Sequence, residues 1–219
     1  MKPVLVYWDI RGICESSRLL LRYLGEDFEE KRYKWGPAPA FDPREWLSVK
    51  YSLGLDFPNL PYLIDGDFKL TQSSAILEYI ADKHGMIPAC PARRAALHML
   101  HNEVYDFLMD FGVVCYSPDF EKLKPGFLER ASRKLDEFEK YLGENQWLTG
   151  DEINYPDFSL CEFLNQLIKF EPACLDNHPK LKAYLNRFES LPNIKDYMAS
   201  SSFKSSGCNG ATATWRGDG

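Results

Sequence analysis

The chain has no long hydrophobic run. Met1 to Trp8 holds one Lys and a short apolar stretch, which Asp9 and Arg11 interrupt at once. That is too short for the apolar core of a secretory leader. No stretch approaches the roughly 20 residues of a membrane-spanning helix. Positive charge is not in excess either: 26 Lys and Arg stand against 32 Asp and Glu, a net charge of −6. Broad attraction to nucleic acid or to an anionic membrane needs a positive surface and is excluded, while a local basic patch for a small anion stays open. No Cys-x-x-Cys pair occurs among the six cysteines, Cys14, Cys90, Cys115, Cys161, Cys174 and Cys208. With no leader, they are expected to be mostly free thiols in a reducing cytoplasm. A P-loop, a nucleophile elbow and a Gly-x-Gly-x-x-Gly turn are all missing. His98 and His101 lie at i, i+3, but no third ligand follows at metal-binding spacing. They are expected to face solvent, and no metal is expected.

What is present suits a soluble globular protein. The 219 residues are 45% hydrophobic and 26% charged, enough for one large domain or two small ones. Pro3 to Tyr7 is a short apolar run that predicts a buried strand. Ser16 to Leu24 follows at helical spacing until Gly25 stops it. Phe28 to Tyr33 alternates polar and apolar residues as a second strand, giving a βαβ unit whose two strands should be parallel. Lys34 to Pro43 is a loop by its glycine and prolines, and Pro43 to Trp46 suits a short helical turn. Tyr62–Ile64 and Lys69–Thr71 flank Asp65-Gly66-Asp67, a hairpin signal. Ala75 to His84 is an amphipathic helix. Gly85 to Pro91 breaks the pattern and divides residues 1–84 from 92–219. Beyond it, helices are predicted over 92–116, 125–142, 155–170, 179–190 and near 194–199, then an irregular Ser/Gly-rich tail. Asn154-Tyr155-Pro156-Asp157 has the form of a capping box, a folding signal rather than a chemical one.

Four features carry candidate chemistry. Tyr7 ends the first strand, where ligands of open α/β sheets bind, although a strand-end Tyr can simply pack. Asn59-Leu60-Pro61-Tyr62 is a turn before a strand. A cis bond there would leave the Leu60 backbone free to pair with an extended peptide, but only about 5–6% of X–Pro bonds are cis, and the residues alone favour trans. Gln72-Ser73-Ser74 opens a helix, where backbone N–H groups favour a carboxylate or phosphate, unless a serine there is only a cap. Cys14, near the start of the first helix, is a rival nucleophile.

The order of these pieces resembles the mu-class glutathione transferases. The resemblance rests on Tyr7-Trp8-Asp9-Ile10-Arg11-Gly12, on the run from Gly54 to Gly66, on Thr71-Gln72-Ser73 and on the run from Cys115 to Pro125, and extends from about residue 3 to 200. It implies an α/β, thioredoxin-like N-terminal domain over 1–84, a linker over 85–91 and an all-α C-terminal domain over 92–219. It further implies a cytoplasmic homodimer that conjugates glutathione, a co-substrate rather than a cofactor, to small hydrophobic electrophiles in detoxification. By that resemblance Tyr7 donates a hydrogen bond to the glutathione sulfur. Trp8, Trp46, Lys50, Asn59, Leu60, Gln72 and Ser73 hold the tripeptide, Pro61 is cis, and Asp106 reaches the partner's site. Phe57 is an aromatic key inserted into the partner subunit. Ile10, Ile13, Leu108, Gly112 and Tyr116 join Tyr7 and Trp8 around the electrophile.

Two departures stand against the resemblance. Arg44 lies two residues before Trp46 where three is usual, which leaves its role open. The tail from Phe203 matches poorly apart from Trp215. The alternative function is a non-catalytic carrier of hydrophobic ligands, or a structural protein, on the same fold.

Overall fold

The computed structural model describes residues 1–218. β1 (Val4–Trp8) leads through one 3-10 turn (Gly12–Cys14) into α1 (Glu15–Tyr23) and then β2 (Glu29–Tyr33). α2 is a single turn at Arg44–Leu47, and the hairpin β3 (Tyr62–Asp65) and β4 (Phe68–Thr71) precedes α3 (Ser73–Lys83). The sheet order is β2-β1-β3-β4. β1 runs parallel to β2, with Tyr7 opposite Arg32, and antiparallel to β3, with Val6 opposite Tyr62. The crossover through α1 explains the first pairing, since parallel neighbours cannot be joined by a tight turn. Asp65-Gly66-Asp67 closes the hairpin, with Gly66 at φ 64°, a conformation that favours glycine.

The rest is helical: α4 (Pro91–Cys115), α5 (Phe120–Leu142), α6 (Tyr155–Phe170), α7 (Pro179–Glu189), α8 (Pro192–Ala199) and α9 (Ser201–Lys204). α6 is buried along nearly its whole length, its polar Asp157, Ser159, Glu162 and Gln166 included. It packs against α4 within its own layer and against α1 and α3 beneath the sheet. Buried on all sides, with its polar side chains answered by partners from both halves, α6 forms the joint between them. Its start has the anticipated capping box. The Asn154 side chain accepts from the Tyr155 N–H at 2.8 Å, and the Asp157 carboxylate accepts from the Asn154 N–H at 2.8 Å.

Two boundaries differ from expectation. α5 begins at Phe120, and Pro125 lies inside it. The sequence reading took that proline as a first-turn residue, whereas the helix tolerates the loss of one N–H bond further in. The tail is not wholly irregular, for Ser201–Lys204 forms a turn whose cap is Ser200, its hydroxyl accepting from the Phe203 N–H at 3.3 Å.

Candidate active site

Tyr7 is buried at the end of β1, and the loop that follows wraps back over it. Gly12 makes this possible. Its φ is +48°, and a Cβ there would lie 2.9 Å from the Tyr7 hydroxyl oxygen, so no other residue fits without displacing the phenol. Burial pushes the Tyr7 hydroxyl well above its ordinary pKa, with smaller contributions from Cys14 and Tyr116, against the pull of the Ile13 backbone N–H and the Arg18 guanidinium. Tyr7 therefore keeps its proton at neutral pH and can donate it in a hydrogen bond.

The loop is fixed by two buried arginines that the sequence reading did not single out. Arg11 forms a bidentate pair with Glu162 of α6, at 2.9 and 2.6 Å. Arg18 donates to the Ile10 carbonyl at 2.7 Å and to Glu15 at 2.8 Å. The Tyr197 hydroxyl donates to the same Glu15 at 2.7 Å. Buried pairs of this geometry offset their desolvation cost and fix position rather than add net stability. The only trace in sequence was charge interrupting an otherwise apolar segment.

β-sheet register assembles the rest of the first half. Tyr62 pairs with Thr71, so Leu60-Pro61 and Gln72-Ser73 emerge side by side. The Leu60–Pro61 peptide is cis, correcting the trans preference read from the residues alone. The Leu60 N–H is not free, since it donates to the Asn59 side chain at 2.9 Å. Gln72 sits at φ 76°, ψ 116°, and no side chain caps α3. Ser73 is buried and Gln72 exposed. Trp46 is buried between Tyr33 and Tyr62, with ring centroids at 5.5 and 6.0 Å. The Lys50 N–H bonds the Trp46 carbonyl at 3.0 Å, which sets its half-buried side chain one turn on. Arg44 is exposed and paired with Asp42. Asp106 is exposed and makes no ion pair among the described residues.

Some of the apolar positions lie together. Ile13, Leu108 and Gly12 line one cavity, and Ile10 lies beside Gly12. Gly112 faces open space, for a Cβ there would meet nothing within 4 Å. Trp8 stacks on Trp35 at 4.2 Å. The tail completes this side. The Gly207 and Cys208 carbonyls accept from Arg11 and Gly12 at 2.8 and 3.0 Å, and the Cys115 carbonyl accepts from Thr214 and Trp215 at 2.9 and 3.1 Å. Gly210 fits between Trp35 and Tyr116, donating its N–H to the Tyr116 hydroxyl oxygen at 2.7 Å. Tyr116 is 45% exposed, and with its oxygen accepting from Gly210, its O–H proton is left to donate. The resemblance implied a tail bordering this pocket, whereas Trp35 was not singled out, because no local sequence signal reports its contacts with Trp8 and Gly210.

One rival falls and one expectation fails. Cys14 is fully buried, and burial pushes its thiol up to about 12, which removes the rival low-pKa nucleophile. His101 does not face solvent with His98; it is buried, with Nε2 2.8 Å from the Ser74 hydroxyl and Nδ1 3.2 Å from that of Ser159. Helical spacing placed the two histidines on neighbouring strips, but α6 and α3 cover only the second. All six cysteines are free, and no cluster of metal-ligating side chains occurs among the described residues.

The profiles "Glutathione S-transferase, N-terminal domain" and "Glutathione S-transferase, C-terminal domain" match residues 3–82 and 105–201. The chain belongs to the glutathione S-transferase family. It is 48% identical to a glutathione S-transferase of Mesocricetus auratus over 98% of this chain and 99% of that one. It is also 48% identical to glutathione S-transferase Mu 1 of Bos taurus, over 93% of each chain. Among solved structures, the glutathione S-transferase Blo t 8 superposes with a TM-score of 0.88 at 36% identity, covering 96% of this chain and 98% of that one. This family membership, with several Mu glutathione S-transferases among its relatives, accounts for a thioredoxin-like sheet domain joined to a helical one.

Proposed function

We propose that this transferase activates the thiol of bound glutathione through Tyr7 and conjugates it to small hydrophobic electrophiles. The observation that carries the reading is the buried, protonated Tyr7 hydroxyl, held under Gly12 at the end of β1. An ordinary thiol has a pKa of about 8.5 and is only a few per cent thiolate at neutral pH. Lowering it by about two units takes about 2.7 kcal/mol of preference for the anion. A hydrogen bond to a charged group contributes about 1.5–3 kcal/mol, so one donated by Tyr7 suffices in magnitude. The sulfur then attacks the electrophile as thiolate, forming the C–S bond. Its former proton passes to solvent.

On this reading the tripeptide lies along the cis-Pro turn. Its backbone pairs with Leu60 in place of the Asn59 side chain, and its γ-glutamyl carboxylate meets Gln72, Ser73 and the uncapped N–H groups of α3. Trp46, Lys50, Asn59 and Trp8 complete the groove, with Lys50 suited to the glycine carboxylate. Ile10, Ile13, Leu108, Gly112 and Tyr116 surround the electrophile. The domain division falls at 85–91.

A second copy of the chain completes the assembly. Phe57 protrudes with 77% of its surface exposed. A groove of about 270 Å³ between α4 and α5, lined by Met99, Leu100, Phe138 and Tyr141 among others, offers an apolar seat for such a ring. In that dimer Asp106 would face the partner's glutathione. Among the described residues no helix is long and apolar enough to cross a membrane, and a cytoplasmic role in removing reactive electrophiles fits the free thiols.

The test is the ultraviolet thiolate absorbance of bound glutathione against pH, for wild type and Tyr7→Phe. A thiol ionising well below its free value in wild type, with the shift lost in the variant, supports the reading. Binding without a lowered pKa points instead to a carrier.

A further inference from the structure

We propose that His101 is a positioning residue for the glutathione site, tying Ser74, and with it the first turn of α3, to the helical domain. The inference rests on the reading of Gln72 and Ser73 as the seat of the glutathione carboxylate. His101 belongs to α4 in the second half of the chain, yet its Nε2 lies 2.8 Å from the hydroxyl of Ser74, the second residue of α3. Its Nδ1 reaches back 3.2 Å to Ser159 on α6. One imidazole therefore bridges three helices from both domains.

The first turn of α3 has few other restraints. No side chain caps it, and Gln72 holds a backbone conformation unusual for a residue with a Cβ, one that persists only where its surroundings enforce it. Behind Ser73 lies a cavity of about 20 Å³ that both Ser73 and His101 line, among largely apolar neighbours such as Leu77, Val104 and Leu108. That is room for about one water molecule. A turn backed by a gap is held less firmly by packing, so hydrogen bonds weigh more in its position, and His101 supplies the one on Ser74.

The chemistry of the group suits the task. Burial, and secondarily His98, push His101 down to about 4, so the ring is neutral at working pH. A neutral imidazole has one donor and one acceptor nitrogen, and a serine hydroxyl can answer either. Both bonds are satisfied whichever nitrogen carries the proton.

The experiment separates the two nitrogens by their nearest amide mimics. The side chain of His101→Asn reaches about as far as Nδ1 and keeps Ser159 but not Ser74; that of His101→Gln reaches as far as Nε2 and keeps Ser74. Steady-state kinetics would be measured with glutathione varied against a fixed concentration of chlorodinitrobenzene. We expect His101→Asn to raise the KM for glutathione about tenfold, equivalent to about 1.4 kcal/mol, with kcat within about twofold of wild type. His101→Gln should restore the wild-type KM.

Ser74→Ala, which leaves the imidazole in place, should match His101→Asn, and the double variant should be no worse than either single one. An unchanged KM in His101→Asn and Ser74→Ala overturns the proposal. So does an equal effect of Asn and Gln, which would mean that the ring only fills space. If His101→Asn fails to fold, Ser74→Ala decides alone. A wild type that binds glutathione with a lowered thiol pKa while these variants behave normally sinks this inference only. A wild type that does not bind glutathione sinks the functional reading instead.

Discussion

Two helix starts in this chain face opposite demands. The start of α6 satisfies itself. Asn154 and Asp157 cap it, and the Asp157 carboxylate also accepts from the Leu148 N–H at 2.9 Å and the Tyr184 hydroxyl at 2.7 Å. Even so, burial pushes that carboxyl up to about 6, a cost accepted to fix the joint between domains. The start of α3 does the reverse. It has no side-chain cap and begins at a strained Gln72, so no side chain of the cap answers its first-turn N–H groups. A helix that spends its first-turn donors on its own side chains has none left for a ligand. The difference separates a structural helix end from one available for binding.

Breaking the α6 end should have the largest effect. Asp157→Ala leaves two buried N–H groups and the Tyr184 hydroxyl without their acceptor, and should lower stability by about 3 kcal/mol in urea titrations. Glutathione affinity of the folded protein should not change; a parallel loss would show that the two ends are not independent.

The pH dependence tests the tie that supports α3. The folded-state pKa of His101, near 4, is below the ordinary value of about 6.5. The unfolded chain therefore binds the proton first. The stability contribution is complete above about pH 6.5 and is lost as pH falls toward 4, by about 3 kcal/mol in the limit. Stability from urea midpoints measured across that window should fall by this extra amount in wild type but not in His101→Gln, which has no titrating group there.

A smaller and more selective change is expected at Ser73. Ser73→Ala should weaken glutathione about tenfold by calorimetry while shifting stability by less than about 0.5 kcal/mol. Loss of stability without loss of affinity would make Ser73 a cap, like Asn154, and erase the contrast. The smallest effect should carry opposite signs. Gln72→Gly relieves the positive φ and should raise stability by about 1 kcal/mol, yet it removes a side chain that meets the ligand, so thermal midpoint and glutathione affinity should move in opposite directions.

Most short-range signals were legible where the physics was local. The β1 run, the Asp-Gly hairpin, the Asn154–Asp157 cap and the three-to-four spacing of α4 each depend on residues within a turn or two of each other, and each forms nearly where periodicity placed it. The long family motifs added Tyr7, the cis Pro61 and the pairing of Gln72 with Ser73, because those runs are contiguous. Two misses were local: Pro125 lies inside α5, and the Leu60–Pro61 bond is cis. The other was long-range: His101 was judged by its own helix and proved to be covered by two others.

By itself, then, the sequence determined the two-part architecture and the family, since local propensity and contiguous motifs survive in one dimension. Only the tertiary structure decided what surrounds Tyr7: the Arg11–Glu162 pair across 151 residues, the tail returning to Gly12 and Tyr116, and His101 between Ser74 and Ser159. Burial and hydrogen-bond partners come from distant segments that meet only when the core closes, and those partners decide which side chains stay neutral, which are charged and which are free to act.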